Sequence, residues 1–148
     1  MGEPDFADWL ALCNLKAAYC RLLDTKDWEG WKQLFTEDCV LDTTASGGTR
    51  EQGRDRFVAQ VSEALANART AHQIHSPEIA IFGDRAQVVW AMQDRVIKGD
   101  FALTGYGHYH ETCVRTPGGW RIAEQVLTRL ILEIERPGSH IGSRASSL

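Results

Sequence analysis

Closely spaced cysteine pairs are absent from this sequence, which argues against metal-binding and redox motifs built on them. The 148-residue chain contains four cysteines, and no two of them form a CxxC pair. Cys13 and Cys20 would lie about 10 Å apart on one helix, which is too far for a disulfide bond. We therefore expect reduced core cysteines, as is usual in a cytoplasmic protein.

Long apolar segments and an excess of positive charge are also absent. No apolar run approaches the ~20 residues of a membrane span, so no membrane association is expected. The amino-terminal sequence MGEPDF is acidic and has no apolar signal core, so we do not expect export. With 16 basic and 20 acidic residues, the formal net charge of −4 does not favour nucleic acid as a partner.

The residues that are present are typical of one globular domain. Hydrophobic residues make up 43% of the chain and charged residues 24%. A chain of this length can enclose a sizeable core or an internal cavity. We predict a domain over residues 1–136 and a flexible carboxy-terminal tail over residues 137–148, which is rich in Gly and Ser.

Hydrophobic periodicity predicts helices first and strands afterwards. Apolar residues recur at helical spacing over residues 4–26, 28–35 and 53–68, and Asp27 is placed to cap the short middle helix. An early strand begins at Cys39 and ends at a loop over residues 46–48. Four longer strands are predicted over residues 71–82, 86–98, 101–116 and 120–135. This order predicts an α+β fold, with three helices on one face of a curved antiparallel sheet.

Asp24 interrupts the apolar pattern of the first helix. It continues an apolar face that is formed by Phe6, Leu10, Cys13, Ala17 and Cys20. A second apolar stripe runs beside that face through Trp9, Leu12, Tyr19 and Leu23. An unpaired carboxylate on a buried face costs roughly several kcal/mol, so Asp24 is expected to have a partner.

His72, at the start of the first hairpin, is the candidate partner of Asp24. A neutral imidazole that is paired with a buried carboxylate is held in one tautomer and becomes a better base. The alternative is a partly exposed histidine that hydrogen-bonds to backbone. His75 lies three residues later, on the opposite face of an extended chain, and is the weaker candidate.

Two further charged residues lie within apolar strands. Asp94 shares one face of its strand with Val88, Trp90 and Met92, although that strand end could instead meet solvent. Arg129 lies in the sequence VLTRLIL, where it could bind a substrate oxyanion, pair with Asp94 or point outward.

His108 and His110 form an HxH pair on one strand face, and such a pair can bind a metal. No carboxylate or third histidine stands at a fixed spacing from them. Two solvated histidines on a sheet surface are therefore favoured over a metal centre.

Several stretches of the chain resemble the SnoaL-like branch of the nuclear-transport-factor-2-like superfamily. The resemblance covers residues 12–130, and it implies a conical α+β barrel whose curved sheet wraps over three helices around an apolar cavity. The stretches that carry it are YCRLLDTKDWEGWKQLFTEDCVLD, GRDRFVAQV, TAHQIHSPEIAIFGDRAQVVW and GGWRIAEQVLTRL.

The resemblance also implies a set of site residues. In the branch that contains scytalone dehydratase, bile-acid 7α-dehydratase and hexachlorocyclohexane dehydrochlorinase, a helix-end Asp and a hairpin His form a catalytic dyad. Asp24 and His72 match that dyad, and Tyr19, Asp94 and Arg129 fall where the bile-acid enzymes have further polar residues. The ketosteroid isomerase and epoxide hydrolase patterns are not reproduced.

These observations predict a cofactor-independent lyase, similar to a dehydratase, or an isomerase that acts on a small apolar cyclic molecule such as a steroid or polyketide. Asp24, His72 and Tyr19 are the expected catalytic residues, without a metal. The residues expected to bind substrate are Asp94, Arg129, Trp90 and His110. The alternatives are a non-catalytic module that binds an apolar ligand in the same cavity, and a metal enzyme that uses His108 and His110. The resemblance also implies a homodimer or homotrimer.

Overall fold

Helices come first and the long strands follow in the computed structural model, which describes residues 5–136. Within this range the chain forms three α-helices and six strands. They are α1 (Phe6–Asp24), α2 (Trp28–Lys32), β1 (Phe35–Asp42), β2 (Arg50–Gln52), α3 (Arg54–Leu65), β3 (Arg69–Phe82), β4 (Arg85–Lys98), β5 (Phe101–Thr116) and β6 (Gly119–Glu135). A short 3-10 turn, Thr44–Ser46, precedes β2.

The six strands form one curved sheet in the order β2-β1-β6-β5-β4-β3. All neighbouring strands are antiparallel except β1 and β6, which run parallel. The sheet is not closed, because β2 and β3 form its two edges. The predicted α+β fold is confirmed, with two differences in detail: one parallel strand pair and an open edge on either side.

Both apolar stripes of α1 were expected to be covered, but the stripe that Asp24 continues is partly exposed. Phe6 is 69% exposed and Leu10 42% exposed, whereas Leu12, Tyr19 and Leu23 are buried. Both stripes are apolar, so helical periodicity alone does not distinguish between them. Contacts of the carboxy-terminal half of α1 with β3 and β6 decide which stripe is covered.

The short helix α2 begins as predicted and ends earlier than predicted. Asp27 caps it, because the backbone N–H of Gly30 donates to the Asp27 carboxylate over 2.9 Å. The helix ends at Lys32, and Phe35 is the first residue of β1 rather than part of a helix. Trp31 is fully buried, in agreement with its expected role in core packing.

Strand β2 was not predicted, because it has only three residues and follows a glycine-rich loop. It pairs with the end of β1, and Gly53, with a positive φ of 100°, then precedes the first residue of α3. The predicted tail over residues 137–148 and the predicted helix start at Pro4 lie outside the described residues. Among residues 5–136, no helix has the length and apolar character needed to cross a membrane.

Candidate active site

A cavity of about 320 Å³ lies between the helices and the inner face of the sheet. Each of the three helices contributes to its wall, as do the loop after β1 and strands β3 to β6. The residues that line it are Tyr19, Leu23, Trp31, Thr43, Ser46, Gly48, Phe57, Val61, Ala64, Leu65, His72, Asp94, Tyr109, Gln125 and Leu127. This is the volume range in which proteins bind small molecules.

Asp24, the last residue of α1, lies against the first residues of β3. Nδ1 of His72 is 2.7 Å from Oδ1 of Asp24, and the backbone N–H of His72 donates to Oδ2 over 2.7 Å. The hydroxyl of Thr70 also donates to Oδ1, over 2.8 Å. The carboxylate therefore accepts three hydrogen bonds from a single strand end, which fixes its position relative to the imidazole.

These contacts stabilise the ionised form of Asp24. Burial alone would raise the pKa of the carboxyl group, but hydrogen bonds from the ring and backbone of His72 and from Thr70 outweigh it, and the pKa is lowered. An ionised Asp24 accepts the proton on Nδ1 of His72, which leaves Nε2 as the basic nitrogen. The His72 side chain is 8% exposed and lines the cavity.

Lys26 supports this arrangement through Thr70. Its ammonium donates to the hydroxyl oxygen of Thr70 over 2.7 Å. The Thr70 oxygen accepts from Lys26 while its proton is donated to Asp24, so the hydrogen bonds run in one direction. The positive φ of Lys26, 62°, turns the chain after α1 and brings this side chain back toward β3.

Asp94 and Arg129 form a second pair in the wall of the cavity. The guanidinium donates two hydrogen bonds to the carboxylate, over 2.7 Å and 2.8 Å, and both side chains are almost fully buried. The Nε of Arg129 also donates to the hydroxyl of Ser46. Gly105 lies on β5, between the strands β4 and β6 that carry Asp94 and Arg129. A Cβ atom at Gly105 would overlap the guanidinium and the carboxylate. Of the three possibilities for Arg129, the structure places it in a pair with Asp94.

Tyr19 lies deeper in the cavity and belongs to a polar cluster that the sequence pattern did not reveal. Its hydroxyl oxygen accepts a hydrogen bond from Nε2 of Gln125 over 3.1 Å. Oε1 of Gln125 in turn accepts from the ammonium of Lys16 over 2.9 Å. Lys16 is 1% exposed and lies 3.0 Å from a carboxylate oxygen of Glu111, which is 3% exposed.

The buried cluster is held together by charge and by aromatic rings. The ammonium of Lys16 lies 3.5 Å from the ring centroid of Tyr19 and 3.8 Å from that of Tyr109, which are cation–π distances. Burial lowers the pKa of Lys16 and raises the pKa of Glu111, and their mutual attraction opposes both shifts. Burial also raises the pKa of the Tyr19 hydroxyl well above 10. Tyr19 is therefore neutral at ordinary pH.

The sequence contains a pattern from which the burial of Lys16 and Glu111 could have been predicted. Lys16 follows Leu12 by four residues and precedes Tyr19 by three, so it lies within the stripe of α1 that is buried. Glu111 alternates with Tyr109 and Cys113 on one face of β5. Both residues occupy positions where an apolar side chain would be expected, as Asp24 does.

Of the four residues expected to bind substrate, Asp94 alone is among the residues that line the cavity, and Arg129 is held next to it by their pair. The other two, Trp90 and His110, do not lie at the cavity. Trp90 is 4% exposed and packs in the core, but it is not among the residues that line the cavity. His110 lies on the outer face of β5, where its Nε2 is 3.1 Å from the hydroxyl of Thr128. The expectation for His110 is wrong because residues alternate between faces along β5, and the inward positions are held by Tyr109 and Glu111.

His75 and His108, the remaining histidines within residues 5–136, also lie away from the cavity. His108 shares the outer face with His110, with their ring centroids 6.1 Å apart. His75 is exposed on the outer face of β3, because the irregularity in the strand comes only after it. Within residues 5–136, no group of three or more His, Cys, Asp and Glu residues is arranged to hold a metal ion.

Comparisons with known proteins agree with this architecture. The family model of the SnoaL-like domain matches residues 4–126. The uncharacterized protein Rv2910c of Mycobacterium tuberculosis is 29% identical over 134 residues, which cover 87% of this chain and 90% of that protein.

Two solved structures from Novosphingobium aromaticivorans are also similar to this chain. A proposed aromatic ring hydroxylase superposes with a TM-score of 0.84 at 26% identity and covers 88% of this chain and 95% of its own. A proposed scytalone dehydratase superposes with a TM-score of 0.77 at 19% identity, with coverages of 92% and 96%. At that identity the second comparison bears on the fold alone.

Proposed function

The chain belongs to the SnoaL-like domain family, within the nuclear-transport-factor-2-like fold, and we propose that it is a cofactor-independent lyase or isomerase. In this proposal Asp24 and His72 form the catalytic dyad, and the substrate is a small, neutral, largely apolar cyclic molecule that carries a carbonyl group. Dehydration is the favoured reaction, because Tyr19 lines the same cavity as His72 and can donate a hydrogen bond to a leaving hydroxyl group.

The observation that carries the proposal is the 2.7 Å contact between Nδ1 of His72 and Asp24 at the wall of an apolar cavity. Asp24 holds the tautomer that leaves Nε2 free to accept a proton, and no described protein group hydrogen-bonds to Nε2. A base of this kind can remove a proton from the carbon beside a carbonyl group. The ionised Asp24 then stabilises the imidazolium that forms, as the carboxylate of a catalytic triad does.

Tyr19 would assist the departure of a hydroxyl group from the neighbouring carbon. The C–H proton passes to His72, the C–O bond breaks as the double bond forms, and the leaving hydroxide becomes water by taking a proton. Because its pKa is raised, Tyr19 serves mainly as a hydrogen-bond donor to the leaving oxygen. The imidazolium of His72 is then the source of the proton that completes the water molecule.

Charge pairing supports a neutral substrate. The charged side chains in and below the cavity are paired within the protein: Asp24 with His72, Asp94 with Arg129 and Lys16 with Glu111. A ligand carboxylate or ammonium would have to displace one of these partners. The Asp94–Arg129 pair is therefore suited to a polar but uncharged end of the substrate.

A screen of β-hydroxy cyclic ketones tests the proposed dehydration. The wild-type protein is expected to remove water from at least one of these compounds, and His72→Gln is not. Mass spectrometry monitors the loss of water. His75→Gln is the matched control, because His75 lies on the same strand but is exposed on the outer face. Dehydration by His72→Gln at the wild-type rate would refute the proposed base.

A binding module without catalysis is the second candidate, since the internal pairing of charges also suits a passive apolar pocket. Native mass spectrometry of the purified protein separates the two. A tightly retained apolar ligand that is released unchanged, together with no reaction in the screen, would favour the binding module.

A further inference from the structure

The buried cluster below the cavity carries no assigned role, although it ends at Tyr19. Lys16, Glu111 and Gln125 are each no more than 3% exposed. Lys16 does not line the cavity, whereas Gln125 and Tyr19 do. Lys16 therefore reaches the cavity through side chains that line it: through the rings of Tyr19 and Tyr109, and through its hydrogen bond to Gln125.

The hydrogen bonds of this cluster have a fixed direction. An ammonium group can only donate, so the side of the Gln125 amide that faces Lys16, at 2.9 Å, must be its oxygen. The amide NH₂ group then faces Tyr19 at 3.1 Å, where it can only donate to the hydroxyl oxygen. Tyr19 cannot direct its own proton at a donor, so that proton points away from Gln125.

Glu111 keeps this direction from reversing. A neutral amine at Lys16 could accept a hydrogen bond, and the amide could then rotate. The carboxylate of Glu111, 3.0 Å from the Lys16 nitrogen, favours the ammonium form. Glu111 and Gln125 are direct cross-strand partners on β5 and β6, so the sheet register holds both of them against Lys16.

We propose that Lys16 is a positioning residue that fixes the Gln125 amide and thereby makes the Tyr19 hydroxyl present its proton to the cavity. The ligand group this arrangement selects is an uncharged hydrogen-bond acceptor, a hydroxyl or carbonyl oxygen, at the end of the cavity next to Tyr19. The inference rests on the proposed function for its catalytic meaning, but its geometry does not depend on turnover.

Neutron diffraction from crystals of the deuterated protein tests the geometry without a substrate. The expected result is an ND₂ group of Gln125 that faces Tyr19 and a Tyr19 deuteron that points into the cavity. The hydroxyl of Tyr109 is a further hydrogen-bond neighbour of Tyr19. A Tyr19 deuteron that points at Gln125 or at this hydroxyl would overturn the proposal. A protein that has the expected Tyr19 geometry but fails to dehydrate any ketone would refute the proposed function alone.

A charge-neutral double variant separates positioning from a structural role. In Lys16→Met/Glu111→Gln both charges are removed together and the side-chain volumes are nearly kept, so the cluster is not left with an unpaired charge. The same diffraction measurement should show the Gln125 amide or the Tyr19 deuteron in more than one orientation. An unchanged, single orientation would show that Lys16 has only a structural role and would overturn the proposal.

Steady-state kinetics on a hydroxy ketone that the wild-type protein dehydrates test the same role during turnover. The double variant is expected to lose about tenfold in kcat with little change in KM, because the donor acts on the leaving oxygen. Lys98→Met is the control, since Lys98 is an exposed lysine whose ammonium donates to the backbone carbonyl of Ala64. A kcat for the double variant equal to that of the control would contradict the role of Lys16.

Discussion

The carboxylate of Asp24 lies 2.7 Å from Nδ1 of His72, although the two residues are 48 positions apart in the sequence. Asp24 ends α1, and His72 lies near the start of β3, an edge strand of the sheet. This contact supplies the partner that was expected for Asp24, an acidic residue on an apolar helix face. Among the residues that line the cavity, His72 is the one whose side chain has a basic nitrogen, Nε2, without a hydrogen bond from the described protein groups.

Replacement of Asp24 by Asn should change the tautomer of His72. In the wild type, both oxygens of Asp24 accept hydrogen bonds, from Thr70 and from the ring and backbone of His72. An asparagine offers only one oxygen, so its NH₂ group faces either the backbone N–H or the ring. We expect ¹⁵N NMR to show Nδ1 protonated in the wild type and a larger share of the Nε2–H tautomer in Asp24→Asn. Identical tautomers in both proteins would contradict the orienting role of Asp24.

The buried ion pair of Lys16 and Glu111 should be costly to break from one side. Lys16→Met leaves the Glu111 carboxylate buried without its partner and is expected to lower the free energy of unfolding by about 3–5 kcal/mol. The double variant Lys16→Met/Glu111→Gln should lose markedly less. Urea denaturation of both variants measures the difference, and equal losses would show that the charge of Glu111 is compensated by other means.

Gly105 should not tolerate a side chain. A Cβ atom at this position would overlap the guanidinium of Arg129 and the carboxylate of Asp94, both of which are nearly buried. Gly105→Ala is expected to separate that pair and lower the free energy of unfolding by about 1–3 kcal/mol. Gly118→Ala, in the exposed β5–β6 turn, is the control, because its closest neighbour is the flexible end of Arg121. A crystal structure of Gly105→Ala with the pair intact would contradict this expectation.

Asp8 should contribute to stability only above strongly acidic pH. Hydrogen bonds from Arg115 and Trp120 lower the pKa of its carboxyl group from 3.8 to about 2. The unfolded chain takes up this proton first as the pH falls, so the contribution is complete above pH 3.8 and is lost as the pH approaches 2.

The difference in free energy of unfolding between the wild type and Asp8→Asn should therefore narrow over that pH range. Urea denaturation of both proteins at several pH values measures this difference. A difference that stays constant down to pH 2 would assign the effect of Asp8 to its shape rather than its charge.

The period of the hydrophobic residues was sufficient to predict the long elements of the fold. Strands β3 to β6 lie within two residues of their predicted bounds, because turn residues such as Gly83 mark their ends. The burial of α1 was not predictable in the same way, since two apolar stripes compete and only packing selects one. The parallel pairing of β1 with β6 joins residues far apart in the sequence, and local patterns do not carry that information.

The site was predictable where a charged residue stood out against apolar neighbours. Asp24, Asp94 and Arg129 were all found in this way, and all three lie at or next to the cavity. Lys16 and Glu111 satisfy the same criterion but were missed, because Lys16 was not recognised as part of the buried stripe. His110 was assigned to the cavity without regard to the alternation of β5, which directs it outward.

The central claim is that Nε2 of His72 is a base oriented by Asp24, and deuterium exchange tests it most directly. The wild-type protein is incubated in D₂O with a panel of apolar cyclic ketones such as 1-tetralone, and incorporation beside the carbonyl group is followed by mass spectrometry. On the ketone that exchanges fastest, His72→Gln should be slower by about 100-fold or more, Asp24→Asn should also be slowed, and His75→Gln should match the wild type. Exchange by His72→Gln at the wild-type rate, or no acceleration of any ketone by the wild type, would contradict the claim.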